Sequence, residues 1–349
     1  MTDQINDTTR VLRAVQTLVD KHAWFPTPED RDAVVLWGAT QWVAGNLQSF
    51  GRIYFQSSEP GSGKSESMRL LTRLARVEVN VVNATPAVIY RIINKFNGTN
   101  PPTLGLDEAD KIWGRAGSAS KKTELLSVAN AGYERSGYVW KPRGQDDVEQ
   151  FPCYAPMAFA GLGTLPEDLF TRCITINMRR APKEAKFTPY NALKHKPLFD
   201  GVKEQLETWS RKVENEIRIA DPELPEGVTG RLAQVWYGMV AVADLADADD
   251  WSVRARKALV DIGSRKRTAE QKSPTGEFLK VIVKGFENSD RLFTKDIAAA
   301  MGDGYTTKQV GSICRDLEVL PRVMKIGGKS GTGVMKSDFE KILTLLGKE

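Results

Sequence analysis

A chain of 349 residues is long for one compact domain and points to two or three. Its 41% hydrophobic and 27% charged content is that of a globular protein, which excludes a disordered chain, and no apolar run reaches membrane-spanning length, so no membrane partner is expected. Cys153, Cys173 and Cys314 are odd in number and far apart, which argues against a disulfide framework or a zinc site, and His22 and His195 stand in no metal-ligand or triad spacing.

Met1 to Thr9 has neither the basic start nor the apolar centre of a signal peptide, so a cytoplasmic location is expected. Val11, Leu12, Val15, Leu18 and Val19 predict a first helix from Thr8 to about Asp20. A second follows from Glu29 to about Leu47, with Trp37 and Trp42 read as core residues. Together, residues 1–48 form a helical segment packed on the domain that follows.

Gly51 to Gln56 reads as a strand, and it delivers the stretch Ser57-Ser58-Glu59-Pro60-Gly61-Ser62-Gly63-Lys64-Ser65-Glu66, where a helix begins. This is a phosphate-binding loop. Gly61 and Gly63 let backbone amides turn inward, the helix aims its positive end at the same point, Lys64 reaches the β- and γ-phosphates, and the Ser65 hydroxyl ligates Mg2+. Ser58 stands where the pattern has its first glycine, and Glu59, Pro60, Ser62 and Glu66 complete the cradle. The nucleotide is read as ATP.

Val77 to Val82 predicts a second strand, Ala87 to Phe96 a helix opened by Pro86, and Thr103 to Leu106 a third strand. That strand ends in Asp107-Glu108, 43 positions after Lys64. Asp107 anchors Mg2+ and Glu108 orients the attacking water, provided this strand lies beside the one before Lys64. Lys121 to about Ala131 reads as a helix, Tyr133 to Val148 as a hairpin or pore-facing loop, and Met157 to Leu162 as a buried strand. Thr164, directly after it, is the candidate sensor of the γ-phosphate. Arg172 opens the next strand and is the candidate arginine finger acting on a neighbouring subunit, with Arg179 and Arg180 as nearby competitors.

The α/β alternation stops at Pro182, so the core spans 49–182. Three helices over Lys196 to Ile219, Thr229 to Leu245 and Asp250 to Ile262 predict a helical lid across 183–263, from which Arg231 would reach the phosphates. The formal charge of +5 is carried locally: Arg254, Arg256, Lys257, Arg265, Lys266, Arg267 and Lys272 face only Asp261 and Glu270 in that stretch. A cluster of this kind favours a polyanionic partner, and a solvated linker, here 264–275, has the same composition.

Residues 276–349 carry a pattern of their own: helices over Glu277 to Phe286, Thr294 to Met301 with Thr294 as cap, and Thr306 to Leu317. An apolar strand, a Gly327-to-Gly333 turn and a last helix from Ser337 to Leu346 follow. This describes a winged helix-turn-helix. Lys308, Gln309, Ser312 and Arg315 on its third helix, with Lys325, Lys329 and Lys336 at the wing, are the candidate DNA contacts. The module holds 12 basic and 10 acidic residues, a balance that also suits protein contact.

With Ser58 to Ser65, Leu106 to Asp110, Leu165-Pro166 through Arg172, Gly230 to Ala233 and Ile326 to Lys329 read in this way, the chain resembles a family of largely uncharacterised P-loop ATPase domains. These occur in actinobacterial phages, plasmids and integrated elements, often linked to primase-type modules. The resemblance implies an α/β, AAA+-like P-loop NTPase core, a requirement for Mg2+ and ATP, and a role in replicating mobile-element DNA. A hexameric ring that works as a helicase or translocase, with a primase or other replication protein as partner, is the leading expectation. A non-translocating loader or regulator is the alternative.

Overall fold

In the computed structural model of the chain, residues 6–81, 85–96, 100–113, 119–144, 147–271, 274–302 and 305–346 are described. The chain divides into two compact units, Met1–Gly263 and Ser264–Glu349. Among the described residues, no helix is long and apolar enough to cross a membrane.

The first unit opens with α1 (Asp7–His22), capped by Asn6, whose side chain accepts from the Thr9 amide, and its five predicted apolar residues are all buried. α2 (Pro28–Thr40) starts from Thr27 with Pro28 in its first turn. The second predicted helix ends sooner than expected. Beyond Thr40 the winding tightens to a 3-10 turn over Gln41–Asn46, where Gln41 Nε2 donates to the carbonyls of Gly38 and Leu71. Trp37 and Trp42 are core: their indole N–H groups donate to the carbonyls of Gly51 and Leu74, each at 2.8 Å.

The strands of this unit are β1 (Arg52–Ser57), β2 (Glu78–Val81), β3 (Thr103–Leu106), β4 (Tyr138–Arg143), β5 (Asp147–Pro152), β6 (Met157–Leu162) and β7 (Cys173–Asn177). β4 and β5 pair as an antiparallel hairpin, the first of the two expectations for 133–148 but reaching on to Pro152, and the other five form one parallel sheet in the order β2-β3-β6-β1-β7. Alternate residues feed two cores, as a sheet covered on both faces requires. Ile53, Phe55, Ala158, Ala160, Ile174 and Ile176 face one side, and Tyr54, Met157, Phe159 and Cys173 the other. The intervening helices are α3 (Lys64–Arg73), α4 (Pro86–Lys95), α5 (Ala109–Trp113), α6 (Ala119–Ala131) and α7 (Glu167–Thr171).

After β7 come α8 (Ala192–Lys212), α9 (Glu214–Ile219), α10 (Gly230–Asp244) and α11 (Trp251–Gln271). The helices expected to form a separate lid instead bury Trp209, Trp236, Trp251 and Leu259 in one hydrophobic core with α1 and α2. α11 also runs through residues 264–271 of the expected linker, while Lys272 lies outside the described residues.

The second unit consists of α12 (Pro274–Phe286), β8 (Arg291–Phe293), α13 (Thr294–Met301), α14 (Thr307–Asp316), β9 (Arg322–Ile326), β10 (Lys329–Met335), a 3-10 turn (Lys336–Phe339) and α15 (Glu340–Leu346). Its antiparallel sheet has the order β8-β10-β9, and Phe278, Ile282, Ile297, Val310 and Phe339 form its core. Three details differ from the sequence reading. The strand β8 was not anticipated, because three residues are too few to show alternation. Thr294 does not cap its helix; its hydroxyl donates to the Thr332 carbonyl at 3.0 Å, tying α13 to the sheet. The glycine turn is only two residues long, Gly327 at φ 54° and Gly328 at φ 78°, so Lys329 belongs to the strand, opposite Ile326. Cys153, Cys173 and Cys314 are buried and in no disulfide among the described residues.

Candidate functional site

All five parallel strands end at the same edge of the sheet, where α/β proteins place their ligands. The 58–63 loop follows β1, Asp107 follows β3, Gly163 and Thr164 follow β6, and Arg180 lies three residues beyond β7. The loop is turned by Gly61 at φ 74° and Gly63 at φ 83°, the latter capping α3 in a conformation open to glycine. At its start Ser57, rather than Ser58, organises the turn: the Ser57 hydroxyl accepts from the Glu59 amide at 3.0 Å, and Ser58 is exposed.

Lys64 is the first residue of α3, and its ammonium donates to the Glu59 carbonyl at 2.8 Å and to Ser62 Oγ at 3.1 Å. Burial pulls its pKa below the ordinary lysine value, with Asp110 and Asp107 acting in the opposite sense. Ser65 Oγ donates to Asp107 Oδ1 at 2.9 Å. The expected neighbourhood of strands is corrected here, since β6 lies between β1 and β3. The contact is made all the same, because α3 leads Ser65 back over β6 to the end of β3. The two oxygens form a hard donor pair of the kind Mg2+ takes from protein, its remaining ligands coming from water and phosphate.

Glu108 occupies the left-handed region at φ 55°, costly for a non-glycine residue. Its amide donates to Asp107 Oδ1 at 2.9 Å, and its exposed carboxylate accepts from Lys111 at 2.6 Å. Asp110 was not singled out by sequence reasoning. Its Oδ1 accepts the Leu162 amide at 2.8 Å and thereby ties α5 to the end of β6. Tyr54 donates to the Gly163 carbonyl at 2.9 Å, and burial, followed by the charge of Asp110, pushes its phenol above the usual range. Thr164 is exposed at the same edge.

Arg180 sits by the loop of its own chain, with Nε donating to the Pro60 carbonyl at 3.2 Å and lying 3.8 Å from the Glu59 carboxylate. Its signal in the sequence was its position just beyond a core strand. Arg172 and Arg231 meet elsewhere. The Arg172 carbonyl accepts the Arg52 amide, which puts Arg172 at the opposite end of β1, roughly 16 Å from the loop at about 3.3 Å per strand residue. There both guanidiniums lie over the Tyr133 ring, Arg172 at 5.9 Å and Arg231 at 5.0 Å, and Arg231 also contacts Gln234 and Glu134. The expectation that Arg231 descends on the phosphates of its own chain is therefore corrected: α10 packs against α2 and the start of β1, and that packing carries Arg231 to the wrong edge.

Of the candidate DNA contacts, Lys308, Ser312, Arg315, Lys325, Lys329 and Arg267 are exposed, while Arg265 and Lys266 are half-buried on α11. Gln309 is committed to a capping box with Thr306, and Lys336 donates to the Phe286 carbonyl.

A profile of a protein family of unknown function, DUF3631, matches residues 177–307, a span that holds neither Lys64 nor Asp107. No curated protein matches the chain. Among solved structures, the A form apo structure of the NrS-1 C terminal region is similar at 13% identity and a TM-score of 0.35, over 93% of this chain and 74% of that one.

Proposed function

We propose that this chain is a Mg2+-dependent ATPase of phage or mobile-element DNA replication, acting as a hexameric ring on DNA as a helicase or translocase. The observation that carries the reading is the 2.9 Å contact between Ser65 and Asp107 beside Lys64, at the carboxyl edge of a parallel sheet. On this reading the first unit is a P-loop NTPase of AAA+-like type and the second a winged helix-turn-helix.

In this scheme the Gly61–Gly63 amides and the amino end of α3 bind the phosphates, and Lys64 leaves its carbonyl partner for the β- and γ-phosphates. Bound Mg2+ would neutralise charge on those phosphates, with Ser65 and Asp107 as its protein ligands. Glu108, once off Lys111, accepts the proton of the attacking water. Arg180 is placed to meet the nucleotide in its own chain. Arg172 stays the candidate for a trans contact, since it lies at the opposite end of β1 from its own loop. DNA contacts fall to Arg267, Lys308, Arg315, Lys325 and Lys329, with Arg265 and Lys266 beside them.

The test is ATP hydrolysis with and without single-stranded and forked DNA, together with the native mass in nucleotide. DNA-stimulated turnover that Lys64→Ala and Glu108→Gln abolish is expected; turnover indifferent to DNA would sink the motor. A second reading, a loader or regulator whose second unit grips protein, draws on Leu320 and Val323, which are 73% and 78% exposed. It predicts ATPase activity stimulated by a replication protein such as a primase instead of by DNA.

A further inference from the structure

The carboxyl edge holds a cation that a phosphate-binding loop does not require. Arg69 lies four residues after Ser65 on α3, so the two side chains share the helix face turned toward Asp107. Asp107 is consequently engaged on both oxygens. Oδ1 accepts from Ser65 Oγ and from the Glu108 amide, each at 2.9 Å, and Oδ2 accepts from Arg69 Nη2 at 3.2 Å. Arg69 is steadied in turn by Glu66 at 3.0 Å, and Glu66 by Arg73 at 3.4 Å. One oxygen of the only carboxylate touching Ser65 among the described residues is thus committed to a fixed positive charge.

We propose that Arg69 is a positioning residue that holds Asp107 as half of an ion pair and so makes Mg2+ entry depend on nucleotide. The proposal rests on the reading of this edge as a Mg-ATP site. Mg2+ gives up its water reluctantly and needs strong negative charge to do so. A carboxylate already shared with a guanidinium offers it little, and the guanidinium itself repels a second cation a few ångströms away. A triphosphate supplies the missing charge, so metal and nucleotide arrive together and the empty site stays metal-free.

The experiment uses the whole chain with Arg69→Gln, which keeps a hydrogen-bond donor without the charge, and Arg69→Lys, which keeps the charge. Two quantities are read: binding of a fluorescent ATP analogue across a Mg2+ titration, and the shift in melting temperature caused by Mg2+ alone. The Arg69 side chain is 42% exposed, so both variants should fold, and their melting temperatures without Mg2+ check this. The expected result is that Arg69→Gln lowers the half-saturating Mg2+ about tenfold and gains a melting shift with Mg2+ alone that the parent lacks, while Arg69→Lys follows the parent. An unchanged or raised Mg2+ requirement in Arg69→Gln overturns the proposal. Failure of the underlying reading looks different: analogue binding by the parent would be indifferent to Mg2+, or Ser65→Ala and Asp107→Asn would leave its Mg2+ dependence intact.

Discussion

Asp110 shows how a side chain beside the candidate site fixes the backbone that carries its residues. It joins the start of α5, directly after Glu108, to the Leu162 amide at the end of β6, and it fits only because residue 161 is glycine. A Cβ on Gly161 would lie 2.9 Å from Asp110 Oδ1 and 3.1 Å from its backbone nitrogen. Gly161→Ala is therefore expected to push α5 outward, lowering stability by about 1–3 kcal/mol and weakening ATP hydrolysis more than ATP binding, since Glu108 moves while Lys64 does not. Chemical denaturation and a comparison of kcat with nucleotide affinity check this; equal losses in both would show that the loop moved as well.

Among the elements, β1 is held at its start by an unusual group. Arg52 is fully buried, donates to the carbonyls of Ala129 at the end of α6 and Ala155 ahead of β6, and has its pKa lowered to about 10 by burial. It satisfies two carbonyls at once, at the cost of desolvating a cation. Arg52→Met removes the cation and leaves the carbonyls bare, with an expected loss of about 3 kcal/mol, read as a shift in the urea midpoint; an unchanged midpoint would mean that water replaces the guanidinium. α1 and α8 meet at the chain's two histidines, whose rings are 4.6 Å apart, with His22 Nδ1 at 2.7 Å from the Thr188 carbonyl. Burial pulls the His22 pKa below its ordinary value against the opposing hydrogen bond to Thr188, and His195, Lys21 and Arg73 add to the lowering. The unfolded chain then binds the proton more readily than the folded one. This contribution to stability is complete above about pH 6.5 and is lost as the pH falls through the depressed value. Urea midpoints at pH 7.5 and 5.5 should show the decline, and His22→Asn should flatten it; a parallel decline in the variant would assign it to other groups.

For the molecule as a whole, the separation of the two candidate arginine sites is the consequential result. Arg172 and Arg231 share Tyr133 at one end of β1, and the loop, Asp107 and Arg180 lie at the other. If the ring forms, the Tyr133 edge of one copy is where a second copy's nucleotide would be met. Arg172→Ala should then lower kcat by about 10³-fold or more in the assembled protein while leaving the nucleotide affinity of a dilute, unassembled chain unchanged. Mixing Arg172→Ala with Lys64→Ala chains supplies the check: activity recovered in the mixture requires the arginine of one subunit to serve the loop of another. No recovery at any ratio would return Arg172 to a packing role on Tyr133.

What the sequence by itself determined was local. The glycines, Lys64 and Ser65 announce a tight turn running into a helix because such a turn is built from consecutive residues, and the apolar runs of β1 and β6 announce buried strands because a sheet covered on both faces needs them. Asp107-Glu108 was legible from its place at the end of an apolar run. Only the tertiary structure decided the rest. The strand order put β6 between the two halves of the candidate site, and burial of Trp236 and Trp251 against α1 and α2 carried Arg231 away from the edge that holds Lys64. Arg69 shares a helix face with Ser65 by its spacing alone, but its partner Asp107, the tie of Asp110 to β6 and the contact of Arg180 with Pro60 came only from the paths of the backbone. Pairings such as Ser65 with Asp107 or His22 with His195 depend on which elements bury their apolar faces together, a choice made by the core over the whole chain and not by the residues that meet.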